Sequence, residues 1–188
     1  MTELTCNRTW AMPNKNTFKI KPLYTQIEQV VSKYGIGSQV TVVDPFANAH
    51  EVLSELSEKY GFTLMTNDLN PEFDTSFHLD ALEFLKCVPD NSADIIMYDP
   101  PFSLRQVSES YKHFGREVTM ETTQASWRAK HLDEIQRIIR PNGTACCFGW
   151  NSNGVGKKRD FKLTNVEIVA HGGSHNDTIM TTESYLGN

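Results

Sequence analysis

Short apolar runs alternate along the chain with segments whose apolar residues recur every three or four positions. Leu23, Ile27, Val30, Val31 and Tyr34 keep helical spacing after Pro22, which predicts a helix that stops near Gly35 and Gly37. Residues 39–43 are apolar and β-branched, as in a buried strand, and run into Asp44-Pro45-Phe46. Val52, Leu53, Leu56 and Tyr60 mark a second helix before Gly61. Residues 62–66 read as the next strand and 77–79 as a short one that ends at Asp80-Ala81. Leu82, Phe84 and Leu85 lie in a brief helix. Residues 94–98 form another buried strand, followed by Asp99-Pro100-Pro101-Phe102. The polar stretch 103–123 shows no clear period. Trp127, Leu132, Ile135, Ile138 and Ile139 predict a further helix, stopped by Pro141-Asn142-Gly143. Residues 144–148 are a strand, and 166–169 with 178–181 an antiparallel pair around the turn at Gly172 and Gly173.

Strands alternating with helices predict an α/β fold with a mostly parallel sheet covered on both faces, closed by a C-terminal antiparallel pair. In such a sheet, ligands bind at the carboxyl ends of the strands. Asp44, Asp68, Asp80 and Asp99 all follow strand ends, so the pattern converges four carboxylates on one edge. Any one of them alone could equally cap a helix or start a turn.

Length and composition narrow this further. The 188 residues fit one domain, and 39% hydrophobic with 22% charged residues is a globular mix. No apolar run approaches the roughly 20 residues of a membrane helix, and the first six residues lack a signal-peptide layout. The four cysteines (Cys6, Cys87, Cys146, Cys147) have no metal-ligand spacing and read as buried reduced thiols of a cytoplasmic protein, with Cys146 and Cys147 on opposite strand faces. Net charge is −5, but it is unevenly spread. Residues 44–94 are strongly acidic, whereas 1–21 and 154–162 are basic. Local patches, not the net value, decide phosphate binding. Residues 171–177 (His171-Gly172-Gly173-Ser174-His175-Asn176-Asp177) suit a tight turn better than a metal site.

The chemistry concentrates at Asp99-Pro100-Pro101-Phe102. Two prolines fix the backbone and remove two amide donors, which leaves acceptor oxygens beside a flat aromatic face. That arrangement suits a planar ligand carrying an amino group. Asp-Pro-Pro-Phe at a strand end, downstream of Asp-Pro-Phe and Asn-Asp-Leu-Asn-Pro, resembles the motif set of amino-methyltransferases that use S-adenosylmethionine. Its Asp form resembles DNA adenine-N6 methyltransferases, and the layout of most of the chain resembles the small orphan enzymes of bacteriophages and prophages.

The resemblance implies a Rossmann-like class I methyltransferase fold and S-adenosylmethionine as cofactor. It places Phe18, Asp44, Pro45, Phe46, Asp68, Leu69, Asp80, Ala81 and Asp99 around that cofactor, with Asp68 on the ribose hydroxyls and Asp80 with Ala81 at the adenine amino group. The family usually has glycine soon after Asp-Pro-Phe; here Ala47-Asn48-Ala49 follows. Asp99, Pro100, Pro101 and Phe102 would hold a flipped-out adenine, and no metal is required. DNA, duplex or single-stranded, is the expected partner, in a bacterial cytoplasm if the chain is phage-encoded. An RNA amino-methyltransferase and a non-catalytic cofactor- or nucleic-acid-binding protein are the alternatives.

Residues 1–188 read as one methyltransferase domain without a separate recognition domain, and a homodimer is the expectation. Substrate contacts then fall to an insert at 103–123, with Arg105, Lys112 and Arg116, and to Lys157, Lys158 and Arg159. Both groups are expected at the cleft mouth because both follow strand ends.

Overall fold

A computed structural model describes residues 3–37, 39–120 and 124–187. Its centre is one seven-stranded sheet in the order β1-β6-β7-β5-β4-β2-β3. The strands are β1 (Thr5–Trp10), β2 (Thr41–Asp44), β3 (Thr63–Thr66), β4 (Ala93–Tyr98), β5 (Ile139–Gly149), β6 (Phe161–Ala170) and β7 (Thr178–Tyr185). β3, β2, β4 and β5 run parallel, β7 is antiparallel between β5 and β6, and β1 lies parallel to β6. The helices are α1 (Lys21–Ser32), α2 (Glu51–Tyr60), α3 (Ala81–Cys87), α4 (Leu104–His113) and α5 (Ala125–Ile138).

Two cores follow from the alternation of side chains across the strands. Leu23, Ile27, Leu53 and Leu56 of α1 and α2 pack with Val42, Ile95 and Met97 on one face. Phe84, Leu85, Ile135 and Ile138 of α3 and α5 pack with Val43, Ile96 and Tyr98 on the other. Cys146 belongs to the first core and Cys147 to the second, as the strand period requires. Cys6 and Cys87 are exposed, against the expectation of four buried thiols. No helix among the described residues is long and apolar enough to cross a membrane.

Four elements differ from the sequence expectation. β1 was not foreseen: all six residues are exposed, so nothing in their polarity reports the pairing with β6. The short strand at 77–79 reduces to one parallel bridge, Asn67 with Phe77. Pro141-Asn142-Gly143 does end the helical run, but it sits in a bulge inside β5: Ala93 pairs with Ile139 and Ile95 with Thr144. The stretch 103–123 contains α4, whose start is a capping box. Ser103 accepts from the Gln106 amide at 3.2 Å, and the Gln106 side chain accepts from Ser103 N at 3.2 Å. Residues 121–123 of the expected insert lie outside the described residues.

The connection from β5 to β6 runs down the side of α5 and is clamped by a buried acid. The Glu183 carboxylate accepts from the amides of Val155 and, at 3.1 Å, Gly156, and a side chain at Gly154 would overlap it. Arg128 donates to the carbonyls of Asn153 and, at 3.3 Å, Gly154. Glu183→Ala strands the buried Val155 amide. We expect a loss of about 2 kcal/mol in denaturant unfolding, since an orphaned buried donor costs ~1–3 kcal/mol. An unchanged midpoint would show that the clamp contributes nothing.

Candidate functional site

The carboxyl ends of β2, β3 and β4 open onto a cleft of about 320 Å³. Phe18, Pro45, Phe46, Asp68, Leu69, Asp80, Ala81, Asp99, Pro100, Pro101 and Phe102 all line it, so one site gathers nearly every residue singled out at the sheet edge. Asp44 is the exception: it is fully buried and does not reach the wall.

Local chemistry explains each placement. Asp44 Oδ1 accepts from the Phe46 amide at 3.0 Å, which folds the chain sharply after β2. Asn48 occupies the left-handed region at φ 50°, where the resembled family has glycine nearby. Asparagine tolerates that conformation better than other side-chain residues, so the loop keeps its turn without glycine. The Asn48 amide donates to Asp68 Oδ2 at 2.9 Å and the Asn70 amide to Asp68 Oδ1 at 2.8 Å. Asp68 therefore ties the loop after β2 to the loop after β3. Phe18 sits in a 3-10 turn at Thr17–Lys19, capped by Asn16, and packs on Phe148 with ring centroids 4.9 Å apart. Asp80 caps α3, accepting from the Leu82 amide at 3.0 Å, so the capping role and a place on the cleft wall coincide.

Two acids at this sheet edge each keep one oxygen without a partner. Asp44 Oδ2 and Asp99 Oδ1 are buried without a hydrogen bond. Burial pushes Asp99 up to about 7, opposed by the Thr17 hydroxyl beside it. Burial also holds Asp44 well above the usual carboxylate range; the Phe46 amide opposes this, and the charges of Asp99 and Asp68 add to it.

The double-proline corner is shared with a second cavity of about 240 Å³. Pro100, Pro101 and Phe102 line both, and Trp150 and Asn151 close the far side. The rings of Phe102 and Trp150 meet edge-on at 5.7 Å and 74°. The first amide after the prolines, on Phe102, donates to Gln106 Oε1 at 2.7 Å.

Several residues of the site carried no assigned role in the sequence. Asn67 stitches three loops together: Nδ2 donates to the carbonyls of Pro45 and Leu79, both at 3.1 Å, and Oδ1 accepts from the Leu79 amide at 2.9 Å. Tyr111 and Trp127 line the cleft from α4 and α5. The Ser-x-x-Gln box at Ser103 was the readable sign of α4 and hence of Tyr111.

The basic residues divide. Arg105 and Lys112 are exposed on α4, which flanks the cleft, and Arg105 pairs with Glu109. Arg116 follows α4 and pairs with Glu83 at 3.2 Å. Lys157, Lys158 and Arg159 are not at the cleft mouth. They precede Phe161, which pairs with Tyr185, four residues along β7 from the level of Tyr98. That is roughly 13 Å down the sheet, towards the amino ends of the parallel strands. The expectation failed because β6 starts at the far end of the sheet, and the chain after β5 must first run back there. Arg159 is turned to Asp133 of α5 at 2.7 Å. In the 171–177 turn, both His171 nitrogens are engaged, by the Ala11 carbonyl and the Thr178 hydroxyl, each at 2.8 Å.

No family model matches the chain. The type II methyltransferase M.BamHI of Bacillus amyloliquefaciens is 28% identical over 116 residues, 56% of this chain and 27% of that protein. The chain thus spans little more than a quarter of the length of this curated relative. Among solved structures, TrmN from Thermus thermophilus aligns with a TM-score of 0.59 at 17% identity, covering 88% of this chain and 49% of that one. A 1,6-didemethyltoxoflavin-N1-methyltransferase of Burkholderia thailandensis, solved with S-adenosylhomocysteine bound, aligns at 0.55 and 11% identity, covering 80% and 72%. The architecture is the Rossmann-like α/β fold of class I S-adenosylmethionine-dependent methyltransferases. Likeness at this level gives the fold and leaves the reaction to the site.

Proposed function

We propose that this protein is a methyltransferase that moves a methyl group from S-adenosylmethionine to the N6 amino group of adenine in DNA. The observation that carries the reading is the corner Asp99-Pro100-Pro101-Phe102: Pro100, Pro101 and Phe102 form a wall shared by two cavities, and Asp99 lines the first of them beside it. One cavity suits the donor and the other a base turned out of the helix. The partial sequence match to a type II methyltransferase supports nucleic acid as the substrate.

The cleft fits the cofactor in charge. S-adenosylmethionine supplies a methyl on a positively charged sulfur, which a nitrogen lone pair displaces, and it also carries an ammonium group. Asp99 lines the cleft with a buried oxygen that carries no hydrogen bond and would face the cation. Asp68 would take the ribose hydroxyls with the lone pairs its two amide bonds leave free, Leu69 and Phe18 would flank the ligand, and Asp80 with Ala81 would meet its adenine.

At the corner, Asp99 from the first cavity and the Pro100 carbonyl would accept the two N–H bonds of a target amino group that enters from the second. An adenine amino nitrogen is a poor nucleophile because its lone pair is delocalised into the ring. Accepting both protons favours a pyramidal nitrogen and stabilises the charge that develops on it. Phe102 would stack on the base, a contact worth ~1–3 kcal/mol, and would offset part of the unstacking energy. Arg105 and Lys112 on α4 would meet phosphates beside the cleft. A second protomer would extend the DNA contact.

The test is transfer of a tritiated methyl group to unmethylated duplex DNA, single-stranded DNA and ribosomal RNA in parallel, followed by nucleoside digestion. Label in DNA as N6-methyladenine is expected. Label confined to RNA, or label on cytosine, overturns the substrate; no label in any acceptor overturns the activity.

A further inference from the structure

The far end of the cleft contains a relay that no family motif assigns. Trp127 Nε1 donates to the Tyr111 hydroxyl at 3.0 Å, and that hydroxyl bonds Asp80 Oδ2. An indole nitrogen can only donate. Tyr111 must therefore accept from Trp127 and give its single proton to Asp80. Tyr111 and Trp127 are each only 8% exposed, so water does not readily replace either bond. Asp80 Oδ1 meanwhile accepts from the Leu82 amide. Both oxygens of Asp80 are thus held in place by donors, and each keeps a free lone pair. Asp80 lines the cleft, so the carboxylate is held as an acceptor in its wall.

The relay is reinforced from outside. Glu83 Oε2 accepts from the Asp80 amide at 3.3 Å and from Arg116 at 3.2 Å, which ties the end of α4 to the start of α3. α4 otherwise packs through a small cluster of Val107, Tyr111 and Trp127, apart from the two main cores. The hydroxyl of Tyr111 is thus a polar link from α4 to the cleft wall at Asp80, as Gln106 is at Phe102.

We propose that Tyr111 is a positioning residue that acts through Asp80 and makes this end of the cleft select a 6-amino purine over a 6-oxo purine. The proposal rests on the cofactor reading above and names the determinant within it. An amino group brings an N–H to the waiting oxygen. A carbonyl oxygen at the same position brings a second acceptor, leaves both unpaired and is rejected. Without the Tyr111 proton, Asp80 loses one of its two anchors and the preference falls.

Calorimetric titration of the full chain with S-adenosylhomocysteine and with its deaminated analogue, in which a carbonyl replaces the 6-amino group, tests this. The unaltered protein should favour the amino ligand by about tenfold or more, one hydrogen bond's worth of discrimination. Tyr111→Phe should weaken the amino ligand by about tenfold while leaving the deaminated one within roughly twofold. Equal weakening of both ligands overturns the proposal, because it reports general damage to the cleft. Absence of any preference in the unaltered protein overturns it too. Binding of neither ligand by folded protein overturns the cofactor reading itself. Should Tyr111→Phe not fold, Trp127→Phe removes the donor that orients the hydroxyl and must reduce the preference in the same direction; an unchanged preference there counts against the relay.

Discussion

Asp99→Asn should lower methyl transfer by about 10³-fold or more while leaving the folded protein at least as stable. The two effects share one cause. Asp99 Oδ1 is buried without a partner and burial lifts the carboxyl to about 7. A buried charge lacking a partner opposes folding, so a neutral isostere relieves that penalty. In the proposed reaction the same carboxylate would meet the target amino group and serve as an acceptor aimed at charge that develops during transfer. Losing one such group typically costs about 10²–10³ in rate, and the asparagine adds an N–H pointed at the incoming amino group. The check is a pair of measurements on one preparation: initial rates of tritium incorporation and the thermal midpoint. Retained activity removes Asp99 from its proposed role. A collapsed midpoint with lost activity would instead make Asp99 a structural residue.

The sheet edge was legible because its signals are local. Each parallel strand is an apolar run, and each ends on residues that cannot continue it, so Asp68 and Asp99 announce themselves. Asp44 was legible as an acid but not as a buried one, since its burial depends on how Pro45 and Phe46 fold over it. Asn48 shows the same limit from the other side. The missing glycine reads as a departure from the family, yet asparagine at φ 50° makes the turn and its amide reaches Asp68. β1 was illegible because a strand that buries nothing leaves no hydrophobic period. α4 was illegible by period because Val107 and Tyr111 are its only buried residues, although its capping box was there to be read.

Lys157, Lys158 and Arg159 carry a different lesson. Their charge was correctly seen, but charge has meaning only with a position, and position came from the antiparallel register of β6 and β7. A stretch that follows a strand stays at the ligand edge only if the next strand starts there, and β6 does not: β5 and β6 are both antiparallel to β7, so β6 runs in the sense of β5 and begins at the opposite end. Here the return is a clamped loop, held by Glu183 and Arg128, that delivers the basic turn to the opposite end. The loop does leave Trp150 behind at the corner, facing Phe102. Under the proposed function, DNA contact near the cleft would fall to α4, and salt-dependent binding should respond to Arg105 and Lys112 before it responds to Lys157 and Lys158.

Uptake of the cofactor should release protons below pH 7 and strengthen as pH rises, by about tenfold per unit for each proton released. The sign follows from Asp99. Its folded value, about 7, stands above the ordinary 3.8, so the ligand-free fold binds an extra proton between those values. Stability of the empty protein from this group falls as pH rises from about 4 to about 7. Asp44, shifted in the same direction, adds to the fall. His131 opposes it: buried, with Nε2 lacking a partner, it is pushed down to about 4, so its contribution is lost as pH falls through the range below its ordinary 6.5. Between 6.5 and 7 only the acids remain. A cationic ligand reverses the acid penalty by favouring the ionised carboxylates, so binding must expel the protons they held. Calorimetry at pH 6 in two buffers of different ionisation enthalpy counts them. We expect about one proton for S-adenosylmethionine and fewer for S-adenosylhomocysteine, whose sulfur is neutral, and Asp99→Asn should abolish the difference between the two ligands. Heats independent of buffer would mean that Asp99 does not face the bound cation, and the charge argument for this cleft would fail with it.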